Sequence, residues 1–211
     1  MTRSRRDFLK TSAVVAAGTM VSANRLSADG LIHLPTEHLP VDDPAVKALM
    51  QHAIDVAKSG GASYADVRVS ARRQQNVNVR DRIVQGVSDT DTFGMGVRTL
   101  VDGAWGFAAT SQLTRDSVAS IARAALDQAK ANRASQLRPV VLAPTPGNQV
   151  GEWKSPITTD PFTVAIPDKV AVLLAATEAA LKVKGVRTAS ASMFFLREEK
   201  SLMTSDGSYI V

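Results

Sequence analysis

The donors best suited to bind a metal are three residues near the amino terminus. His33, Glu37 and His38 form a small His/Glu cluster, and zinc accepts such side chains as ligands. Pro35 and Pro40 interrupt any regular helix across the segment, so the pattern does not hold the three donors in a fixed geometry. We therefore predict a solvated linker here and no metal site in this chain.

Two groups of carboxylates are the next candidates. Asp89 and Asp91, with Asp81 further away, lack the spacing and the glycine of a calcium-binding loop. We predict a solvated acidic loop at these positions. Glu198 and Glu199 are adjacent, and adjacent strand residues point to opposite faces, so they are poorly placed to share acid–base work.

The segment Phe93–Thr110 is rich in glycine and apolar residues. No Lys-Ser/Thr pair follows its glycines and no helix begins at them, so a phosphate-binding loop is not expected. We predict that these glycines permit turns and close backbone approach. Trp105 and Phe107 alternate along a strand and are predicted to be core aromatics. The sequence has no Gly-x-Ser-x-Gly motif and no histidine placed as a base, so no catalytic residue is predicted.

Composition excludes several classes of function. The chain has 211 residues and no cysteine, which excludes disulfides, thiol catalysis and cysteine-ligated zinc. Residues 1–28 hold five of the 25 basic residues and one of the 20 acidic residues, so the remainder carries a net charge of only +1. Such a balance gives little attraction for phosphate backbones, and we expect no nucleic-acid binding.

The amino terminus carries the pattern of an export signal. Arg5 and Arg6 precede Phe8 and Leu9, and an apolar run over 11–23 follows at once. This order is typical of a twin-arginine signal, and the alternative is a chance arginine pair in a basic terminus. The run would span roughly 20 Å as a helix, short of the ~30 Å bilayer core, so we predict a signal peptide over 1–28 and not a membrane anchor. Cleavage is possible after Ala23 or after Ala28.

These features predict an exported protein, periplasmic or otherwise extracytoplasmic, without a membrane segment after signal cleavage. No later apolar run approaches ~18 residues. Residues 29–42 are predicted to be a linker, because they contain two prolines and no periodicity. Residues 43–211 are predicted to form the folded domain.

The first predicted helix has clear boundaries. Asp43 suits the N-cap and Pro44 the first helical position, and Gly60-Gly61 is a stop signal. Its apolar positions follow helical spacing: Val46, Leu49, Met50, Ala53 and Ala57.

Strands are predicted next. Residues 64–72 alternate in polarity, and a second strand carries Val77 and Val79, with a turn at 74–76. Asp102-Gly103 is a strong hairpin signal, because both central positions of a type I′ turn require positive φ. It joins two predicted strands, Gly96–Val101 and Ala104–Ala109.

The second half repeats this alternation of helices and strands. A second amphipathic helix is predicted from Thr114 and a third from near Pro167, with a long connection between them over 132–161 that contains a possible edge strand at 140–142. Strands at 186–196 and 200–204 and a turn at 205–208 complete the pattern. The period changes predict an α+β fold, a largely antiparallel sheet with about three amphipathic helices.

The run Gly94–Ser111 (GMGVRTLVDGAWGFAATS) resembles the amino-terminal signature of the TldD/PmbA family, once called modulators of DNA gyrase. The resemblance extends upstream to Ala62–Arg68 and downstream to Thr204–Ile210. It covers roughly residues 44–211 and identifies the chain as the amino-terminal part of such a protein.

The resemblance implies a peptidase function. Members of the family resemble zinc metallopeptidases that cut short or unfolded peptides as two-part assemblies of homologous subunits. Zinc is held there by a His-Glu-x-x-x-His motif, and this sequence contains no His-Glu pair. We therefore expect no metal or catalytic residue here, and zinc in a carboxyl-terminal half or a partner; this chain alone should be inactive. The alternative is a non-catalytic peptide-binding or assembly subunit that pairs with a metal-bearing homologue.

The resemblance also implies a supporting role for the glycine-rich segment. The sheet that walls the family's substrate cavity is expected to include eight residues: Gly94, Gly96, Arg98, Asp102, Gly103, Trp105, Gly106 and Phe107. An extended peptide is expected to add to an edge of such a sheet through backbone hydrogen bonds.

Overall fold

The computed structural model of the chain describes residues 38–211. The predicted signal with Arg5, Arg6, Phe8 and Leu9 lies outside these residues, as do the zinc-type donors His33 and Glu37 and most of the predicted linker.

The predicted α+β fold is confirmed. Residues 38–211 contain three α-helices and six strands, in the order α1 Pro44–Ser59, β1 Tyr64–Arg80, β2 Ile83–Val101, β3 Ala104–Thr110, α2 Arg115–Arg133, β4 Val150–Gly151, α3 Ile166–Leu181, β5 Ser190–Thr204 and β6 Tyr209–Ile210. The strands form one sheet in the spatial order β3-β2-β1-β5-β6-β4. Every neighbouring pair is antiparallel except β4 and β6. None of the helices in the described part is long and apolar enough to cross a bilayer.

Helix α1 follows the sequence prediction closely. The carboxylate of Asp43 accepts a hydrogen bond from the Ala45 amide at 2.7 Å, which caps the helix. Of the predicted apolar face, Val46, Met50, Ala53 and Ala57 are buried and Leu49 is partly buried; Ile54, which the prediction omits, is also buried. Val41, within the range predicted as linker, is also buried, and its carbonyl accepts a hydrogen bond from the Ser201 hydroxyl at 2.7 Å.

The prediction of a turn at 74–76 is wrong. Strand β1 runs unbroken for 17 residues, and the reversal comes at Asp81 and Arg82, with φ of 49° and 66°. The Asp81 carboxylate holds this turn in place, because it accepts hydrogen bonds from the Ala189 amide at 2.7 Å and the Thr188 hydroxyl at 3.0 Å. These partners lie about a hundred residues away, so local sequence could not reveal the turn.

The prediction of a solvated acidic loop at 89–91 is also wrong, because both residues lie within the 19-residue strand β2. The Asp89 carboxylate binds the Arg73 guanidinium, with N–O distances of 2.8 and 3.0 Å, and accepts from the Gln75 amide at 2.8 Å. Gln75 in turn accepts from the ammonium of Lys169, a buried residue of α3. Burial lowers the pKa of Lys169. This polar network separates the core under α1 and α2 from a smaller core under α3.

The structure corrects two further predictions about strands. The sequence predicts separate strands at 186–196 and 200–204, but β5 is continuous over 15 residues from Ser190 to Thr204, because it pairs with β1 along its whole length. Residues 140–142 form no strand. The buried face of α3 contains Lys169, Leu173 and Thr177.

The sheet has two unlike faces. Odd-numbered residues of β1, such as Val67 and Val69, pack against α1 and α2, and Val77 and Val79 pack against Leu173 of α3. Even-numbered residues of β1 point to the opposite side, which no described helix covers. We call this side the open face.

Candidate functional site

The predicted hairpin forms the centre of the candidate site. Val101 pairs with Ala104, and Asp102 and Gly103 take φ of 47° and 77°, as a two-residue hairpin turn requires. The turn also receives the chain that follows α2, since the Gly103 carbonyl accepts from the Val140 amide at 2.8 Å.

The eight predicted residues divide between three places. Gly94, Gly96, Arg98, Trp105 and Phe107 lie on the open face, because each shares a face with an even-numbered residue of β1 through the strand register. Asp102 and Gly103 form the turn. Gly106 lies on the other face, where a Cβ atom would stand 1.9 Å from the Ala125 carbonyl oxygen of α2. Gly106 therefore serves helix packing and does not line the open face.

Two glycines make a groove along β2 on the open face. Gly96 lies between Arg68 of β1 and Ala109 of β3, and Gly94 lies beside Ser70 of β1. Since neither glycine carries a side chain, the neighbours stand as walls along a trough. The resulting groove has a volume of about 580 Å³.

Phe107 closes one end of this groove. A Cβ atom on Gly96 would lie 2.8 Å from the Phe107 ring, so the ring rests over the glycine. The prediction that Phe107 is a core aromatic is wrong, since 59% of its surface is exposed. Trp105 is half-buried and packs edge-on against Tyr64, with ring centroids 5.9 Å apart. An exposed ring over a glycine floor is suited to contact an apolar ligand.

A charged cluster adjoins the groove. Asp66 is 2% exposed and sits directly opposite Arg98, whose Nε and Nη2 lie 2.8 and 2.7 Å from its Oδ2. The Arg98 guanidinium also lies over the Trp105 ring, 4.3 Å from its centroid. Nε of Arg68 lies 3.4 Å from the other oxygen, Oδ1. One carboxylate therefore faces two guanidinium groups, and the cluster carries a net charge of +1.

The sequence prediction of the site omitted Asp66 and Arg68. Alternation along β1 places Arg68 opposite to Val67 and Val69, which predicts its exposure. Nothing local predicts that Arg68 stands across Gly96 or that Asp66 meets Arg98, because both facts depend on the strand register. The signal available was the segment Ala62–Arg68 itself, which shares the family resemblance.

The outer edge of β3 is not free for strand addition along its middle. The Gln128 side chain accepts from the Phe107 amide at 2.6 Å, and the Asn132 side chain donates to the Trp105 carbonyl at 2.9 Å. Both polar side chains come from α2, which thus caps this sheet edge. Strand β3 pairs with seven residues of β2, from Met95 to Val101.

The sequence predicts the turn at Ser205–Ser208, and hydrogen bonds to the Asp206 carboxylate stabilise it. This carboxylate accepts from the Thr204 hydroxyl, from the Thr145 hydroxyl at 2.9 Å and from the Ser208 hydroxyl at 2.9 Å. Thr145 belongs to the long connection after α2, so the turn anchors that connection. These hydrogen bonds, above all that of Thr204, lower the pKa of Asp206 to about 2.

This depressed pKa predicts a loss of stability in acid. In the unfolded chain Asp206 takes up its proton near pH 3.8, so its contribution is complete above about pH 4 and disappears as the pH falls towards 2. We expect Asp206→Asn to lower the free energy of unfolding by about 1 kcal/mol at pH 7, a modest loss because the carboxylate is partly exposed. At pH 2 the loss should be much smaller, because the carboxylate is then largely protonated. Urea denaturation at both pH values measures the difference. Asp127→Asn, at an exposed position of α2, is the control, and an equal loss at both pH values would contradict the assignment.

The described residues do not fit a zinc site. Residues 38–211 contain no group of three His, Asp or Glu side chains placed to hold a metal. Of the histidines in that range, His38 stacks on Phe93 with centroids 4.3 Å apart and Nδ1 3.0 Å from the Leu39 carbonyl. His52 is half-buried on α1.

Comparison with known families finds two matching segments in this chain. Residues 65–129 match the family model described as PmbA/TldA metallopeptidase domain 1, and residues 4–22 match the model of the twin-arginine translocation signal. Residues 65–129 are thus similar to the first domain of PmbA/TldD proteins, and residues 4–22 are similar to a twin-arginine export signal. The matched range includes Asp66, Arg68 and the whole groove-forming hairpin.

Solved structures share the fold. A protein from Bacteroides thetaiotaomicron described as a modulator of DNA gyrase is 21% identical, with a TM-score of 0.61 over 79% of this chain and 38% of that one. TldE from Thermococcus kodakarensis is 20% identical, with a TM-score of 0.58 over 75% of this chain and 35% of that one. A protein from Thermotoga maritima, also described as a modulator of a DNA gyrase, is 16% identical, with a TM-score of 0.55 over 76% and 35%.

The chain spans little more than a third of the length of these structures. No curated protein matches it. The comparisons thus confirm the predicted resemblance to the family, and the solved structures confirm the predicted fold. They give no support to the alternative of a non-catalytic subunit.

Proposed function

We propose that this chain is the substrate-holding amino-terminal part of a TldD/PmbA-type metallopeptidase that acts on short or unfolded peptides. The observation that carries the proposal is the glycine-floored groove on the open face, which lies inside the segment matched to the family's first domain. Its floor is backbone, and its wall includes the exposed ring of Phe107. Backbone and aromatic surfaces accept many side chains, as a peptidase for unfolded substrates requires.

Zinc and water activation would come from outside residues 38–211, since the donors in that range do not fit a zinc ion. Where it is bound, zinc polarises the scissile carbonyl and lowers the pKa of bound water. A carboxyl-terminal segment or a homologous partner subunit would supply it. The signal match at residues 4–22 supports export, and we place the mature protein in the periplasm.

The role of the groove is tested by filling it. Gly96→Val is expected to weaken the binding of an extended peptide at least tenfold, because the new side chain occupies the floor of the trough. The neighbouring Phe107 can move aside, since the contact is with the end of an exposed side chain, so the variant should still fold. Fluorescence anisotropy of a labelled, unstructured peptide with the full chain measures the effect.

A matched control lies on the same strand. Gly86 is on the open face opposite Asn78, outside the groove, and a Cβ atom there would meet nothing within 4 Å. Gly86→Val is expected to bind the peptide like the unmodified chain. Equal affinities of the two variants would refute the groove as the binding site. Chelator-sensitive hydrolysis by the purified chain alone would refute the placing of zinc elsewhere.

A further inference from the structure

The groove contains one charged residue. Of its described lining residues, Arg68 alone is charged, and the others are glycines, apolar residues and the hydroxyl residues Ser and Thr. A concave surface with one cation and no anion is complementary to a ligand that carries one negative charge on an otherwise apolar or neutral body.

The contacts of Arg68 leave its Nη1 and Nη2 atoms available to hydrogen-bond a ligand. Its Nε faces Asp66, at 3.4 Å from Oδ1, while the other oxygen of Asp66 is held by Arg98. The single charge of Asp66 is thus shared by two guanidinium groups. The Arg68 side chain is 52% exposed, so Nη1 and Nη2 can form the paired hydrogen bonds that guanidinium groups make with carboxylates.

The polarity of the two groove walls indicates which kind of ligand fits between them. On one side Ser70 and Arg68 offer polar groups, and on the other Phe107 and Ala109 offer apolar surface. The missing side chains of Gly94 and Gly96 lower the floor, which the Phe107 ring partly covers at Gly96 and the Thr110 carbonyl approaches at Gly94. An extended peptide with an apolar last residue places that side chain against the exposed Phe107 ring and its terminal carboxylate within reach of Arg68.

We propose that this groove binds the free carboxyl terminus of an extended peptide and that Arg68 recognises its α-carboxylate. The proposal rests on the proposed function and narrows it to substrates presented by their carboxyl-terminal end. Asp66 acts as a positioning residue, because it holds the Nε edge of Arg68 and turns the other edge towards the groove.

The test compares two forms of one peptide on the full chain at fixed ionic strength. An apolar hexapeptide labelled with fluorescein at its amino terminus is used with a free carboxylate and as the carboxyl-terminal amide. We expect the acid to bind at least tenfold more tightly than the amide, as measured by anisotropy. In Arg68→Gln the two forms should bind equally, and Arg68→Lys should retain part of the preference.

Arg72→Gln is the matched control. Arg72 lies on the same strand and the same face, four residues further along, is exposed, and does not line the groove. This variant should keep the full preference for the acid. Thermal unfolding of each variant verifies that it is folded.

The remaining outcomes separate this inference from the proposed function. If acid and amide bind equally to the unmodified chain, carboxylate recognition is overturned and peptide binding stands. If neither form binds, both proposals are overturned. A preference that survives in Arg68→Gln overturns the role of Arg68. Decanoate that competes as well as the unlabelled peptide acid overturns the assignment of the ligand as a peptide.

Discussion

Gly106→Ala is expected to lower the free energy of unfolding by about 3 kcal/mol, an effect near the upper end for the insertion of one methyl group. The added Cβ would lie 1.9 Å from the Ala125 carbonyl oxygen and 2.6 Å from the Ala129 amide nitrogen. Both are backbone atoms of α2, so no side-chain rotation relieves the contact and the helix must move away from the sheet. A fall of roughly 10 °C in the melting temperature would accompany the loss.

The matched comparison for this prediction is Gly86→Ala, which adds the same methyl group to open space on β2. It is expected to leave the free energy of unfolding unchanged within about 0.5 kcal/mol. Urea denaturation followed by far-ultraviolet circular dichroism gives both values. If Gly106→Ala were as stable as Gly86→Ala, the close approach of α2 to β3 would be wrong.

Asp66→Asn is expected to cost about 2 kcal/mol, because it removes a buried charge that holds two guanidinium groups. The loss stays below that of a fully buried ion pair, since the Arg98 side chain is 40% exposed and water can solvate part of its charge. A double-mutant cycle with Arg98→Gln isolates the pair, and we expect a coupling energy of about 1 kcal/mol or more. Denaturant unfolding of the four proteins measures it.

The exposed ion pair between Asp102 and Arg133 should contribute much less to stability than the pair that the buried Asp66 forms with Arg98. Asp102 lies 3.1 Å from Arg133, with the two side chains 70% and 56% exposed. Asp102→Asn should change the free energy of unfolding by about 0.5 kcal/mol or less, because solvent screens the pair and asparagine tolerates the positive φ of the turn. Equal costs at Asp66 and Asp102 would show that burial does not govern the strength of these pairs.

Much of the local structure could be predicted from the sequence. The cap of α1 at Asp43, its apolar face and the hairpin at Asp102-Gly103 are each set by residues within a few positions of one another, because capping, periodicity and turn geometry are local effects. The resemblance to the family signature over Gly94–Ser111 likewise rests on residues that are contiguous in the sequence.

The sequence also determined an export signal, an α+β class and a domain without a zinc motif, since composition, spacing and motif content decide these. Only the tertiary structure decided that β1 continues through Gln75, that Asp89 is a strand residue bound to Arg73, and that Phe107 lies exposed over Gly96. Each of these depends on strand register or on a partner far away in the chain. A one-residue shift of register would move every side chain of a strand to the other face, so the groove and its single cation exist only because the long strands pair as they do.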